Sequence, residues 1–261
     1  MIKLSQNMRF SYNISRGSMS SRKKLADELN VKIFERMVQL YDRKNTCGLG
    51  AVKSRYNSTL PERKDIEINP IRIKKDDDLS GSTSISENGR NILSGYSIEL
   101  PANKKKKLSI SDLSQLMHES THVLDYLLNP KYAANYFHMC EKNIFNKKYF
   151  NLYEKYFYNT EDMMNGKKKE MLILAEEETR KGLRGVPKEE KIIFLNYIKY
   201  CMEMEYHAYS QDIKYTKLLQ KLGKPIVKED LEDFNKFLAF PEKITLVNQL
   251  IMEELRSAGE K

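Results

Sequence analysis

The sequence predicts an α+β fold, mostly helical, with a small twisted sheet packed on one motif-bearing helix and a helical C-terminal lobe. Three observations carry this. Apolar residues recur at intervals of three and four from residue 111 to near the C-terminus, with breaks marked by Gly and Pro. Residues 65–73 and 91–100 show the near alternation of half-buried strands, and residues 21–45 return to helical spacing.

At 261 residues the chain can bury a sizeable core. Residues 1–20, rich in Ser, Asn and Arg, read as a flexible leader, and residues 21–261 as a single catalytic domain: helix plus small sheet over 21–108, motif helix and helical lobe over 109–261. In residues 21–45, Leu25, Leu29, Ile33, Met37 and Leu40 line one face of a helix expected to brace the sheet. Residues 65–73 (DIEINPIRI) form a strand interrupted by Pro70, and residues 91–100 (NILSGYSIEL) a second, ended by Pro101. The Asp-, Ser- and Gly-rich stretch between them reads as a turn or mobile flap. The lysine run 104–107 is a solvated loop, or a device that steers substrate or phosphate. In residues 111–128, Leu113, Leu116, Met117, Val123, Leu124 and Leu127 lie at helical spacing, with Ser111 as N-cap. Later helices should break near residues 129–130, 165–166, 185–187, 223–225 and 240–241.

No apolar run approaches the roughly 20 residues that span a bilayer, and the N-terminus lacks the apolar core of a secretory signal. The three cysteines, Cys47, Cys140 and Cys201, are widely spaced, which fits a reducing cytosol better than a disulfide framework. The net charge of +9 comes mainly from lysines scattered among acids, so nucleic acid is a disfavoured partner.

The strongest chemical signal is His118-Glu119-Ser120-Thr121-His122, an H-E-x-x-H motif on the helix 111–128. Histidines four apart share one helical face, where both imidazoles can reach one ion. The chain has four histidines, and chance would give this motif in only about one chain in two hundred of this composition. Catalytic zinc takes three protein ligands and keeps a fourth position open, so a third ligand must lie elsewhere. No third histidine follows in the H-x-x-G-x-x-H continuation. Glu205 is the leading candidate, because Ala208 on the same helical side lets another helix approach closely. Glu203 lies on roughly the opposite face; Glu176, Glu177 and Glu178 are rivals whose simpler fate is a solvated helix surface. Asp125 could orient an imidazole, while His138 and His207 read as structural.

These residues carry a family resemblance. His118-Glu119-x-x-His122-Val123-Leu124-Asp125, followed by Glu205-Tyr206-x-Ala208, resembles the gluzincin metallopeptidases, in particular the catalytic domains of anthrax-lethal-factor-like toxins. The resemblance implies a zincin-like fold, zinc held by His118, His122 and Glu205, and Glu119 as catalytic acid/base. In the zincin layout an edge strand pairs with extended substrate, and residues 95–100 are the expected edge. Zinc would lower the pKa of a water toward about 7, while Glu119 takes its proton and returns it to the leaving amine. A tyrosine would stabilise the oxyanion: Tyr209 shares the face of Glu205, and Tyr206, Tyr200 and Tyr197 are alternatives. The expected partner is a protein or peptide substrate. The leader resembles in composition those of type III secretion effectors, so a toxin or effector is expected, cytoplasmic or delivered into a host cell. The reading from another class is a basic helical interaction protein, binding an acidic partner or nucleic acid, whose metal motif is structural or accidental.

Overall fold

The computed structural model describes residues 19–41, 43–59, 67–68, 72–74, 82–88, 92–101, 107–128, 147–158, 167–226, 228 and 237–256. Expectations for residues 1–18, Lys104 to Lys106, His138, Cys140 and the breaks at 129–130 and 165–166 lie outside them. The chain divides into two compact units, Met1–Pro130 and Lys131–Lys261, where the sequence reads residues 21–261 as one catalytic domain. The described residues are mostly helical, and none of the helices they form is long and apolar enough to cross a membrane.

The first unit runs α1 (Met19–Val38), β1 (Thr46–Gly48), α2 (Leu49–Asn57), β2 (Glu67–Ile68), β3 (Arg72–Lys74), β4 (Ser82–Asn88), β5 (Ile92–Pro101), β6 (Lys107–Ser109) and α3 (Ile110–Leu128). α1 ends short of the expected residue 45, and Asn45, at φ 55°, takes the left-handed conformation that Asn tolerates as the chain turns into β1. β1 and β6 pair antiparallel, Thr46 opposite Ser109 and Gly48 opposite Lys107. Because β1 feeds α2 and β6 feeds α3, the two helices leave this ribbon from opposite ends.

In the second sheet β5 is central. Gly95 lies opposite both Glu67 and Ser86, and Glu99 opposite both Arg72 and Ser82, so β4 flanks one side antiparallel and β2 and β3 flank the other in parallel. This corrects two expectations. Residues 95–100 are interior to the sheet, and the stretch expected to be a flap supplies β4, in which the strand-favouring Thr83 and Ile85 stand at alternate positions of a polar run. Among the described residues β4 pairs only with β5 and so forms an edge. The single strand read from residues 65–73 is two short ones, on either side of Pro70, which has no N–H to give a ladder.

Helix α3 packs on α1 and against β4 and β5. Leu113, Leu116, Met117, Val123 and Leu124 are fully buried there, with Ile33, Phe34 and Met37 of α1. The main partners of α1 are thus α3 and α2 rather than the sheet. The helix starts earlier than expected. Ser109, not Ser111, is the N-cap: its hydroxyl accepts from the Asp112 N–H (3.1 Å), while the Asp112 carboxylate accepts from the Ser109 backbone N–H and hydroxyl. Such a box needs its acid three residues after the cap, and only Ser109 meets that spacing with Asp112.

The second unit contains α4 (Lys147–Tyr153), a π-helical turn (Glu154–Tyr158), α5 (Lys168–Gly182), α6 (Lys188–Lys221) and α7 (Phe240–Arg256). Its core joins Phe157, Phe194, Leu195, Ile198, Met202 and Phe240 with Leu246, Val247 and Leu250. The expected breaks hold at Gly185 (φ 75°), at Gly223 (φ 64°) and at Pro241, which falls in the first turn of α7. At Gly223 the α6 carbonyls are capped by Gly223 N–H to Gln220 O (3.1 Å) and Lys224 N–H to Leu219 O (2.9 Å), a closure needing the left-handed residue that Gly provides. Lys243 is buried in α7 and donates from Nζ to the Phe157 carbonyl (2.9 Å), a helix-end acceptor that its own turn cannot satisfy.

Candidate metal centre

In the first unit, α3 presents His118, Glu119 and His122 within one turn and a half. The two imidazole rings lie 5.1 Å apart, edge to face. Their ligand nitrogens are within 4.8 Å of one another, against roughly 3.4 Å for two nitrogens on a tetrahedral zinc with bonds of about 2.1 Å. A small rotation about the side-chain torsions brings both onto one ion, so the residues fit a borderline-soft divalent metal such as zinc. Glu119 and His122 are buried and His118 is half-buried, which gives the centre one wet side.

The residues between the ligands hold the helix from behind. Ser120 and Thr121 are fully buried. Asn30, fully buried in α1, donates from Nδ2 to Thr121 Oγ1 (3.0 Å) and accepts at Oδ1 from the Ser120 hydroxyl (3.1 Å). Tyr56 of α2 donates to Ser120 Oγ (3.1 Å), and Thr121 Oγ1 also donates to the Met117 carbonyl (3.0 Å). Burial pushes the Tyr56 phenol well above its usual range; the Ser120 bond offsets part of that, and the nearby Glu119 carboxylate adds to it. Tyr56 therefore stays a neutral donor at any pH the protein meets.

Sequence reasoning did not find these anchors. Asn30 is a lone polar residue beside Leu29 and Ile33, and Ser120 and Thr121 are the two residues that the motif leaves free. A polar residue inside an apolar stripe, facing hydroxyls on another helix, was the available signal.

Of the other described candidates, all but Asp125 belong to the second unit. Glu205 is half-buried on α6, three residues before the fully buried Ala208. Glu203 lies 3.8 Å from Lys199 on the same helix. Glu176 pairs with Arg180 (2.8 Å) and Glu178 with Lys181 (3.2 Å), and Glu177 is exposed, as on a solvated helical face. Tyr209 stacks on Phe237 with centroids 4.0 Å apart and planes 14° from parallel, and Tyr197 meets Tyr153 edge on at 6.1 Å. Tyr206 is half-buried and Tyr200 buried. His207 is buried, with Nε2 3.2 Å from Gln211 Nε2, which suits a structural histidine. Asp125 is half-buried on α3, three residues after His122. Comparison with protein-family models, curated proteins and solved structures finds no match.

Proposed function

We propose that the protein is a zinc-dependent metallopeptidase, gluzincin-like in its site and zincin-like in its fold, which hydrolyses peptide bonds of a protein substrate. The observation that carries this reading is the presentation of His118, Glu119 and His122 on one face of α3 while Ser120 and Thr121 pin the opposite face. His118, His122 and Glu205 would hold the ion. Glu205 is favoured because its neighbour Ala208, fully buried, adds no bulk on that side of α6. Bound zinc would supply Lewis acidity toward a water and a peptide carbonyl.

Glu119 then serves as general base toward the water and general acid toward the leaving amine. Its burial keeps bulk solvent from competing for that proton. Tyr209 is the proposed oxyanion donor, its ring held in place by the stack on Phe237. Edge strand β4, which among the described residues pairs only with β5, is where an extended peptide would lie, rather than residues 95–100. The biology proposed with this chemistry is that of a toxin or effector, acting in its own cytoplasm or delivered into a host cell.

The test combines elemental analysis with peptide hydrolysis. One zinc per chain is expected, lost in His118→Ala, His122→Ala and Glu205→Ala and kept in Glu203→Ala. Glu119→Gln should keep zinc and melting behaviour while hydrolysis falls by about 10² to 10⁴. Full zinc content in both histidine variants, or wild-type turnover in Glu119→Gln, removes the reading and leaves the basic interaction protein.

A further inference from the structure

Where α5, the turn after it, α6 and α7 meet, the second unit holds a cavity of about 300 Å³, at the lower end of the size range of ligand pockets. Its buried lining is mostly apolar, with Leu183, Leu195 and Leu250 beside Thr179, whose hydroxyl is taken up by the Ala175 carbonyl (2.6 Å). Its rim is cationic, carrying Arg180, Arg184 and Lys191, with Glu254 as the one acid.

The rim charges are not equivalent. Arg180 is bound to Glu176 (2.8 Å) and Glu253 (2.7 Å), and Lys191 to Glu254 (3.0 Å). Among the described residues no carboxylate pairs with Arg184, which is exposed and precedes the left-handed Gly185 at the sharp turn between α5 and α6. The cavity thus offers one uncompensated guanidinium above an aliphatic floor. A guanidinium fork matches a carboxylate in geometry, and a single charge matches a monoanion. A phosphate would bring a second negative charge against Glu254, which that single cation cannot offset.

We infer that this cavity binds a small carboxylic acid with an aliphatic body, the carboxylate on Arg184 and the body against Leu183, Leu195 and Leu250. Two sources share that chemistry: a medium-chain fatty acid and the C-terminal residue of a peptide ending in an aliphatic side chain. The cavity shares no residue with the proposed zinc ligands, and its occupancy does not depend on whether the protein is a peptidase.

The experiment titrates the full-length ¹⁵N-labelled protein with octanoate, N-acetyl-leucine, octanol and inorganic phosphate, following amide shifts. Octanoate or N-acetyl-leucine should bind in the millimolar range expected of so few atoms, shifting Leu183, Gly185 and Leu250. Octanol and phosphate should leave those amides in place. Arg184→Gln should weaken carboxylate binding about tenfold or more, and Arg184→Lys should retain most of it, since Arg184 is exposed and neither change disturbs the core. Tighter binding of octanoate identifies a fatty acid as the source, and tighter binding of N-acetyl-leucine a peptide C-terminus. Absence of shifts at these residues, equal binding of octanol, or undiminished binding by Arg184→Gln overturns the inference.

Discussion

Helices α3 and α6 are both long and both deeply buried along one face, yet they are held differently. On α3 the buried face includes Ser120 and Thr121, each hydrogen-bonded to a side chain of another helix. On α6 the buried face carries Phe194, Leu195, Ile198 and Met202 in the apolar core of the second unit, and the buried His207 lies near Gln211, one turn on in the same helix. Apolar packing tolerates small slides and rotations, because dispersion and burial are not directional. A hydrogen bond loses most of its strength when its angle closes, so Asn30 and Tyr56 fix the rotation of α3 about its own axis. That rotation decides where His118 and His122 point. The lesson is that the side chains fixing α3 sit between its two histidines, so anchoring and ligand placement share one turn.

The largest expected effect tests the apolar side of this contrast. Phe240, fully buried against Phe237 with centroids 4.7 Å apart, should cost about 3–5 kcal/mol on Phe240→Ala. Amide exchange should accelerate across α6 and α7 with α1 and α3 unaffected; equal acceleration in α3 would show that the two units do not unfold separately.

Next comes Lys243. Burial pulls its ammonium down from 10.5 to about 7. The sign follows from the unfolded chain, which binds the extra proton between those values, so stability should rise with pH from about 7 to about 10.5, by roughly 2–4 kcal/mol and at most about 5. Below pH 7 this contribution is flat. Chemical denaturation at stepped pH should show the rise in wild type and its loss in Lys243→Met; a rise that survives the substitution belongs to another group.

A smaller effect bears on the directional side. Asn30→Ala removes two buried hydrogen bonds and should cost about 2–3 kcal/mol, while Thr121 keeps its bond to Met117 and Ser120 its bond from Tyr56. If rotation of α3 is what Asn30 secures, zinc affinity should also fall, by about tenfold, as for other residues that orient ligands from behind. A loss of stability with zinc affinity unchanged would reduce Asn30 to a packing residue. The smallest effect is Ser109→Ala, about 1 kcal/mol from the lost box, seen as fraying at the start of α3 by amide exchange.

The parts of this fold that were legible are those where the chain repeats a period or breaks one. Helix α3 and the boundaries at Gly185, Gly223 and Pro241 follow from spacing and from residues that tolerate or refuse particular dihedrals. The pair His118 and His122 is local to one turn, and their shared face needed no knowledge of anything distant. What was missed depends on partners far away in sequence. Residues 82–88 look like a loop because their composition is mostly polar, and pairing with β5 gives them strand form. Residues 95–100 look like an edge until β2, β3 and β4 are placed on both sides. Asn30 looks like a blemish in an apolar stripe until Thr121 is placed against it.

Asn30 and Thr121 are 91 positions apart in the chain, and Tyr56 and Ser120 are 64 apart. Closing loops of this size carries an entropic cost that is met only once both ends exist. During synthesis from the N-terminus, α1 and α2 emerge with their polar groups facing no partner until residues 120 and 121 arrive. Those two residues are interleaved with Glu119 and His122 in the same turn. The anchoring contacts and the turn from His118 to His122 are therefore completed at the same moment of translation, and a shorter nascent chain has neither. On the proposed reading, a chain just long enough to have both still lacks Glu205, so the ligand set is complete only when α6 has been made.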